Sequence, residues 1–143
     1  MRGAGCDEGS APIAMLRQGI LNPHLLSLLA RIRHTNTLVI ADRGFPFWPM
    51  IETVDLSLVD DVPTVRQVLA AIRPNFDLER VYVANEFLRR NPPAVSRALR
   101  RALAGVPLEF EPHADFKRRV PGAIGLIRTA DTIPYANLIL VSG

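Results

Sequence analysis

Short apolar runs without polar alternation constrain this chain more than any other feature: Leu38-Val39-Ile40-Ala41, Val81 to Ala84, and the closing run Leu138 to Val141. A strand with one face in water alternates apolar and polar residues, whereas a strand covered on both faces reads as a continuous apolar stretch. Helical patterns separate these runs. Asn22-Pro23 reads as an N-cap followed by proline at the first helical position. Behind it, Leu25, Leu26, Leu28, Leu29 and Ile32 form the apolar face of a helix predicted to end near Arg33. Pro63 is predicted to open a second helix, with Val65, Val68, Leu69 and Ile72 at helical spacing. Asn91-Pro92 is predicted to cap a third, whose exposed side carries Arg97, Arg100 and Arg101. Further strands are expected over Ile51 to Leu58, before a turn at Asp60-Asp61, and over Leu108 to Phe110 and Ala123 to Ile127. Five or six strands interleaved with helices place the chain in the α/β class.

A chain of 143 residues has the size of one domain. It can build a core, yet it is short for an enzyme that encloses its own pocket, so a pocket shared between subunits is plausible. The net charge of +3 comes from sixteen arginines and one lysine, Lys117, set against fourteen acids. That balance is too mild to argue for nucleic acid, and no basic stripe alternates with aromatics. The single cysteine, Cys6, excludes an intrachain disulfide framework and fits a reducing compartment. Residues 1–14 are rich in Gly, Ala and Ser and read as a flexible leader, leaving 15–143 as the domain. With no signal-peptide core and no membrane-spanning run, a soluble cytoplasmic protein is expected. The chain also lacks a Gly-rich phosphate loop and the H-E-x-x-H, C-x-x-C and G-x-S-x-G patterns, which argues against kinase, protease and dehydrogenase chemistry.

The chemistry-bearing residues punctuate the apolar runs. His34-Thr35-Asn36-Thr37 precedes the first run and Asp42 ends it. His113-Ala114-Asp115-Phe116-Lys117 opens a short basic segment, and Pro134-Tyr135-Ala136-Asn137 leads into the last run. Ends of buried strands are where α/β proteins place ligands. Two imidazoles, a carboxylate, a phenol and a carboxamide suit a polyhydroxylated substrate, and none has metal-ligand spacing. The loop from Asp42 to Pro49, with two prolines and three aromatics, reads as a pocket wall. Each residue also has a structural reading. His34 can serve a helix dipole, His113 can begin a helix, and Asp42 can cap a turn. Tyr135 can be a core or interface ring, and Asn137 can hold its loop. His24, inside the first helix, reads as a surface residue.

In their order along the chain, these segments resemble the D-ribose pyranase family, related to the L-fucose mutarotases, from Met15 to the C-terminus. Gly19-Ile20-Leu21-Asn22 echoes the family's opening pattern, and Arg33-His34-Thr35-Asn36 is similar to its Gly-His-Thr-Asp segment. Asp42-Arg43-Gly44-Phe45-Pro46 resembles its Asp-Ala-Gly-Leu-Pro loop. His113 to Lys117 matches its His-x-x-Phe-Lys stretch, and Pro134 to Asn137 matches its Pro-Tyr-Ala-Asn outright. The resemblance implies a single-domain mixed sheet flanked by helices, and an enzyme without metal or cofactor that interconverts the pyranose and furanose forms of a monosaccharide. It implies His34 as the general acid/base, and Asp42, His113, Tyr135, Ala136 and Asn137 as substrate-binding residues. It further implies a pentameric or decameric homo-oligomer with sites at subunit contacts.

This chain departs from the pattern at Arg33, Asn36, Arg43 and the pair Phe47-Trp48. Arg43 adds a fixed cation that either admits an acidic or phosphorylated sugar or reaches a neighbouring subunit. Besides D-ribose, the open alternatives are a mutarotase for L-fucose or another sugar, and a sugar-binding accessory protein without turnover.

Overall fold

The computed structural model describes residues 16–143; the leader expected over 1–14, with Cys6, lies outside the described residues. The first apolar run forms β1 (Thr37–Ala41) and the last forms β6 (Leu138–Ser142). They pair antiparallel, with Thr37 opposite Val141 and Ile40 opposite Leu138. On its other side β1 pairs parallel with β5 (Gly125–Arg128), which pairs parallel with the edge strand β2 (Glu52–Asp55). Beyond β6 lies β3 (Leu78–Ala84), antiparallel to β6 and parallel to the second edge strand, β4 (Leu108–Glu111). The result is one six-stranded mixed sheet in the order β2-β5-β1-β6-β3-β4.

Both faces of the central strands are covered, which explains their lack of alternation. Leu38, Ile40, Leu138 and Leu140 point into one core, packed by α1 (Pro23–Ala30), α2 (Val65–Ile72) and α4 (Pro93–Ala102). Val39, Ala41 and Ile139 point into a second core beneath Phe116 and Val120 at α5 (His113–Arg119). Full burial of one such side chain contributes about 1.5–3 kcal/mol. The strands at the sheet centre are therefore fixed in register by both layers, since a one-residue slip would exchange the two sets. Gly125 permits the close approach of α1 to β5: a Cβ there would lie 2.7 Å from Leu28 Cδ1 and 3.2 Å from the Glu52 carbonyl oxygen.

The structure moves several predicted boundaries. The first helix ends at Ala30 instead of near Arg33, because Arg31 and Ile32 donate to carbonyls three residues back and the last turn tightens. Asn22 does cap it, accepting from the Leu25 amide at 2.9 Å. The expected strand from Ile51 to Leu58 shortens to β2, since Asp55 Oδ1 accepts from the Ser57 amide and turns the chain. The second helix opens at Val65, not Pro63, behind a capping box of Thr64 and Gln67. Strand β5 begins at Gly125 and not at Ala123, whose amide instead closes a turn onto Val120.

Two corrections concern the segment before α4. A six-residue helix, α3 (Asn85–Arg90), follows β3 directly and was not expected. The N-cap of α4 is Pro92, with no side-chain cap, and Asn91 points elsewhere. Its carboxamide nitrogen donates to the carbonyls of Phe87 at 2.9 Å and Pro134 at 3.0 Å.

Candidate active site

The parallel strands end, and antiparallel β6 begins, at a single edge of the sheet. Asp42 follows β1 there, Asn137 precedes β6, and the ladder from Ile40 opposite Leu138 makes them neighbours. The Asn137 Oδ1 accepts from the Asp42 amide at 2.7 Å, and both residues are buried. The registers Val83 opposite Leu138 and Ala84 opposite Glu111 bring the ends of β3 and β4 to this same edge. His113, the first residue of α5, and Tyr135 arrive with them, their rings edge-on with centroids 5.0 Å apart. Four of the six sequence candidates thus converge from three distant segments.

Asp42 combines the structural and functional readings. Its Oδ1 caps the following turn, accepting from the Gly44 amide at 3.0 Å and the Phe45 amide at 2.8 Å. Among the described residues, both hydrogen bonds to this carboxylate fall on Oδ1. Burial pushes the carboxyl above its usual range, while the two amides and the Arg128 cation oppose that shift. Arg128, itself buried, donates to the Asp42 carbonyl at 2.8 Å and to the Pro46 carbonyl at 3.2 Å, so it pins the loop that carries Asp42. No sequence pattern marked this arginine; a charged residue closing the apolar run 123–127 was the available signal.

His113 sits in an aromatic box. Phe116 stacks on the imidazole, Phe45 meets its edge at 6.0 Å, and Tyr135 closes a third side. Burial lowers the imidazole pKa and nearby Lys117 lowers it further, against weaker raising effects of Glu86 and Asp42. The neutral ring is therefore favoured over the cation. Its buried Nδ1 has no hydrogen-bond partner among the described residues, so it is free to meet a hydroxyl. Trp48 packs on Phe45 at 6.0 Å as part of the wall, while Phe47 is exposed.

Two candidates stand apart. The side chain of Ala136 is 6% exposed and faces the α2–α4 core, lining an apolar cavity of about 210 Å³ with Phe87, Val95 and Leu99. His34 lies at the opposite edge: the next residue, Thr35, bonds the carbonyl of Ser142 at the far end of β6. Five residues of β1 at about 3.3 Å each separate it from Asp42, roughly 16 Å within one chain. His34 is exposed, in a turn with Thr35 at φ 69°. The Asn36 Oδ1 accepts from the Arg33 amide at 2.8 Å, so both departures flanking His34 are used to form this turn.

The other departures also find local roles. Arg43 pairs with Asp60 at 2.8 Å on the surface, which neutralises the added cation within the chain. His24 is exposed on α1, as expected. Lys117 contributes through its field at His113.

The cluster of Asp42, His113, Tyr135 and Asn137 defines an α/β protein with polar and titratable side chains gathered where its strands end. Residues 15–143 match the RbsD / FucU transport protein family, and the chain belongs to that family. It is 43% identical over 129 residues to a D-ribose pyranase of Chromobacterium violaceum, covering 90% of this chain and 98% of that protein. It is 41% identical over 129 residues to a D-ribose pyranase of Geobacillus kaustophilus, covering 90% and 94%. Bacillus subtilis RbsD complexed with D-ribose superimposes with a TM-score of 0.84 at 34% identity, over 90% of this chain and 98% of that one. The fucose mutarotase of Streptococcus pneumoniae, in complex with L-fucose, shares the fold with a TM-score of 0.74 at 22% identity, over 85% and 92%.

Proposed function

We propose that this protein interconverts the pyranose and furanose forms of a free monosaccharide, with D-ribose the leading substrate, by general acid/base ring opening. The observation that carries the reading is the convergence of Asp42, His113, Tyr135 and Asn137 on one sheet edge. The relatives named D-ribose pyranase, and the ribose complex of the Bacillus subtilis protein, support the substrate class.

Opening a hemiacetal requires a base for the anomeric hydroxyl proton and an acid for the departing ring oxygen; closing through another hydroxyl repeats the exchange. A positioned acid/base contributes about 10²–10⁴-fold, enough for a reaction that already proceeds in water. In this reading Asp42 Oδ2 and His113 Nδ1 accept or donate hydrogen bonds at two sugar hydroxyls. The Tyr135 phenol and the Asn137 amide distinguish the ring form, and the Ala136 backbone lines the same cleft. His34 supplies the acid/base function.

Within one chain His34 cannot reach the cleft, so we place His34 of the partner subunit over it, in a ring-shaped homo-oligomer of five or ten subunits. The separation of the two edges supports this arrangement. It also defines the competing reading, because an isolated monomer would bind sugar without His34 beside it. No helix among the described residues is long and apolar enough to cross a membrane, and we assign the protein to the cytoplasm with residues 15–143 as its single domain.

The test is ring exchange measured by saturation-transfer NMR across D-ribose, L-fucose and related sugars. Faster pyranose–furanose exchange of ribose supports the reading, and acceleration of another sugar alone keeps the chemistry and changes the substrate. Binding without acceleration for any sugar would establish the accessory binder instead.

A further inference from the structure

Helix α3 carries none of the residues assigned to the sugar, yet both of its ends hold residues that are. At its start, Glu86 Oε1 accepts from the His113 amide at 3.0 Å, across from the opening of α5. Just past its end, the carboxamide of Asn91 bridges the Phe87 carbonyl of α3 and the Pro134 carbonyl, at 2.9 and 3.0 Å. The next residue after Pro134 is Tyr135, held at φ 58°, a left-handed conformation that costs a residue other than glycine about 1 kcal/mol or more. Arg90, the last residue of α3, lies 5.6 Å over the Tyr135 ring. Between these two anchors His113 and Tyr135 meet edge-on at 5.0 Å.

We propose that Glu86 and Asn91 are positioning residues for the sugar site, α3 acting as a bracket that sets the spacing and orientation of His113 against Tyr135. The proposal rests on the sugar-site reading above and goes beyond it, since it gives roles to residues that touch no substrate. The physical need is clear from the topology. His113 opens α5 after β4, while Tyr135 lies in a loop between β5 and β6, so no shared backbone element relates them. A strained loop residue keeps its conformation only where its surroundings over-determine it. Asn91 supplies that constraint from one side and the Arg90 guanidinium from the face of the ring.

Two readouts test this. In sugar-free protein with selectively labelled His and Tyr, cross-relaxation between the His113 and Tyr135 rings reports their contact directly and requires no enzymatic activity. The bracket predicts that it weakens in Asn91→Ala and in Glu86→Ala and persists in Glu86→Gln, which keeps the acceptor oxygen. In the ring-exchange assay, Asn91→Ala and Glu86→Ala should raise the half-saturating ribose concentration by up to roughly tenfold, the scale of a lost hydrogen bond. The rate at saturation should fall less. Glu86→Gln should restore near-normal half-saturation while shifting the acid limb of the pH profile downward, because it removes a charge that favours the His113 cation.

Leu103→Val is the control for general loss of stability. Leu103 is 1% exposed, near the sheet edge where β4 begins, away from the cleft. An equal rise in half-saturation for Leu103→Val and Asn91→Ala, or unchanged ring contact in both Ala variants, would overturn the proposal. Should Asn91→Ala fail to fold, the comparison of Glu86→Ala with Glu86→Gln decides it alone. If the wild-type protein accelerates no sugar's exchange, the functional reading fails, while the ring-contact measurement still decides whether α3 sets this geometry.

Discussion

Asp42 offers a quantitative separation of stability from function. Its Oδ1 accepts two amide hydrogen bonds, one from the buried Phe45 and one from Gly44, which is more accessible. Asp42→Ala removes the acceptor of both bonds. The Phe45 amide is then left unsatisfied at about 1–3 kcal/mol, and the Gly44 amide exchanges its partner for water at about 0.5–1.5 kcal/mol, a total of roughly 1.5–4.5 kcal/mol. Asp42→Asn keeps an oxygen in the same place and removes the buried charge. Because burial holds this carboxyl above its ordinary value, the unfolded chain releases the proton first as pH rises past about 4. The group therefore lowers stability as pH climbs to its folded-state pKa, and the loss is complete above it. Asp42→Asn should thus match or exceed wild-type stability at pH 7, with its relative advantage fading toward pH 4, and should bind ribose poorly. Urea denaturation of wild type and both variants between pH 4 and pH 8 measures this, with ribose binding followed in parallel. Equal destabilisation by Asn and Ala at pH 7, or an Asn advantage that grows toward acid pH, would refute the reasoning.

Other outcomes follow from the same geometry. The His113 imidazole should titrate below about 6.5 in an NMR pH series, since burial and Lys117 disfavour its cation; a midpoint above that value would contradict the aromatic box as its environment. The same shift makes this residue destabilising as pH falls through about 6.5, where the unfolded chain takes up the proton first, and His113→Gln should flatten that limb of the stability profile. Gly125→Ala should cost about 1–3 kcal/mol in denaturant melts, because its Cβ would meet Leu28 and the Glu52 carbonyl with no room to spare; a neutral result would mean that α1 shifts freely on the sheet.

The parts of this molecule legible in its sequence are those set by local pattern. Burial on both faces writes itself as unbroken apolar runs, and that signal located β1, β6 and the core of β3. Helix faces at Leu25–Leu29 and Val65–Ile72 were equally plain, with their ends displaced by turns whose hydrogen bonds depend on particular side chains. Strand order was not legible: the insertion of antiparallel β6 between β1 and β3 is a long-range choice with no local signature. Helix α3 escaped because six residues with no side-chain N-cap leave little periodicity to read. Asn91 shows how the same motif can mislead, since Asn before Pro is a good N-cap in isolation, yet here the carboxamide bonds a loop 43 positions away. For the cleft, residue types at strand ends suggested Asp42, His113, Tyr135 and Asn137. Their places before and after one strand already put His34 and Asp42 at its opposite ends; what the sequence could not show is that His113 and Tyr135 join the Asp42 end.

That separation makes subunit complementation the most direct test of the account. His34→Ala and Asp42→Asn subunits, each inactive in ribose ring exchange on its own, would be unfolded together, refolded as a mixture and assayed against each pure variant. If each cleft takes His34 from the partner subunit, random mixing creates sites with both native halves, and roughly a quarter of wild-type activity returns. A mixture that forms mixed oligomers yet remains as inactive as its components would contradict a cleft shared between subunits.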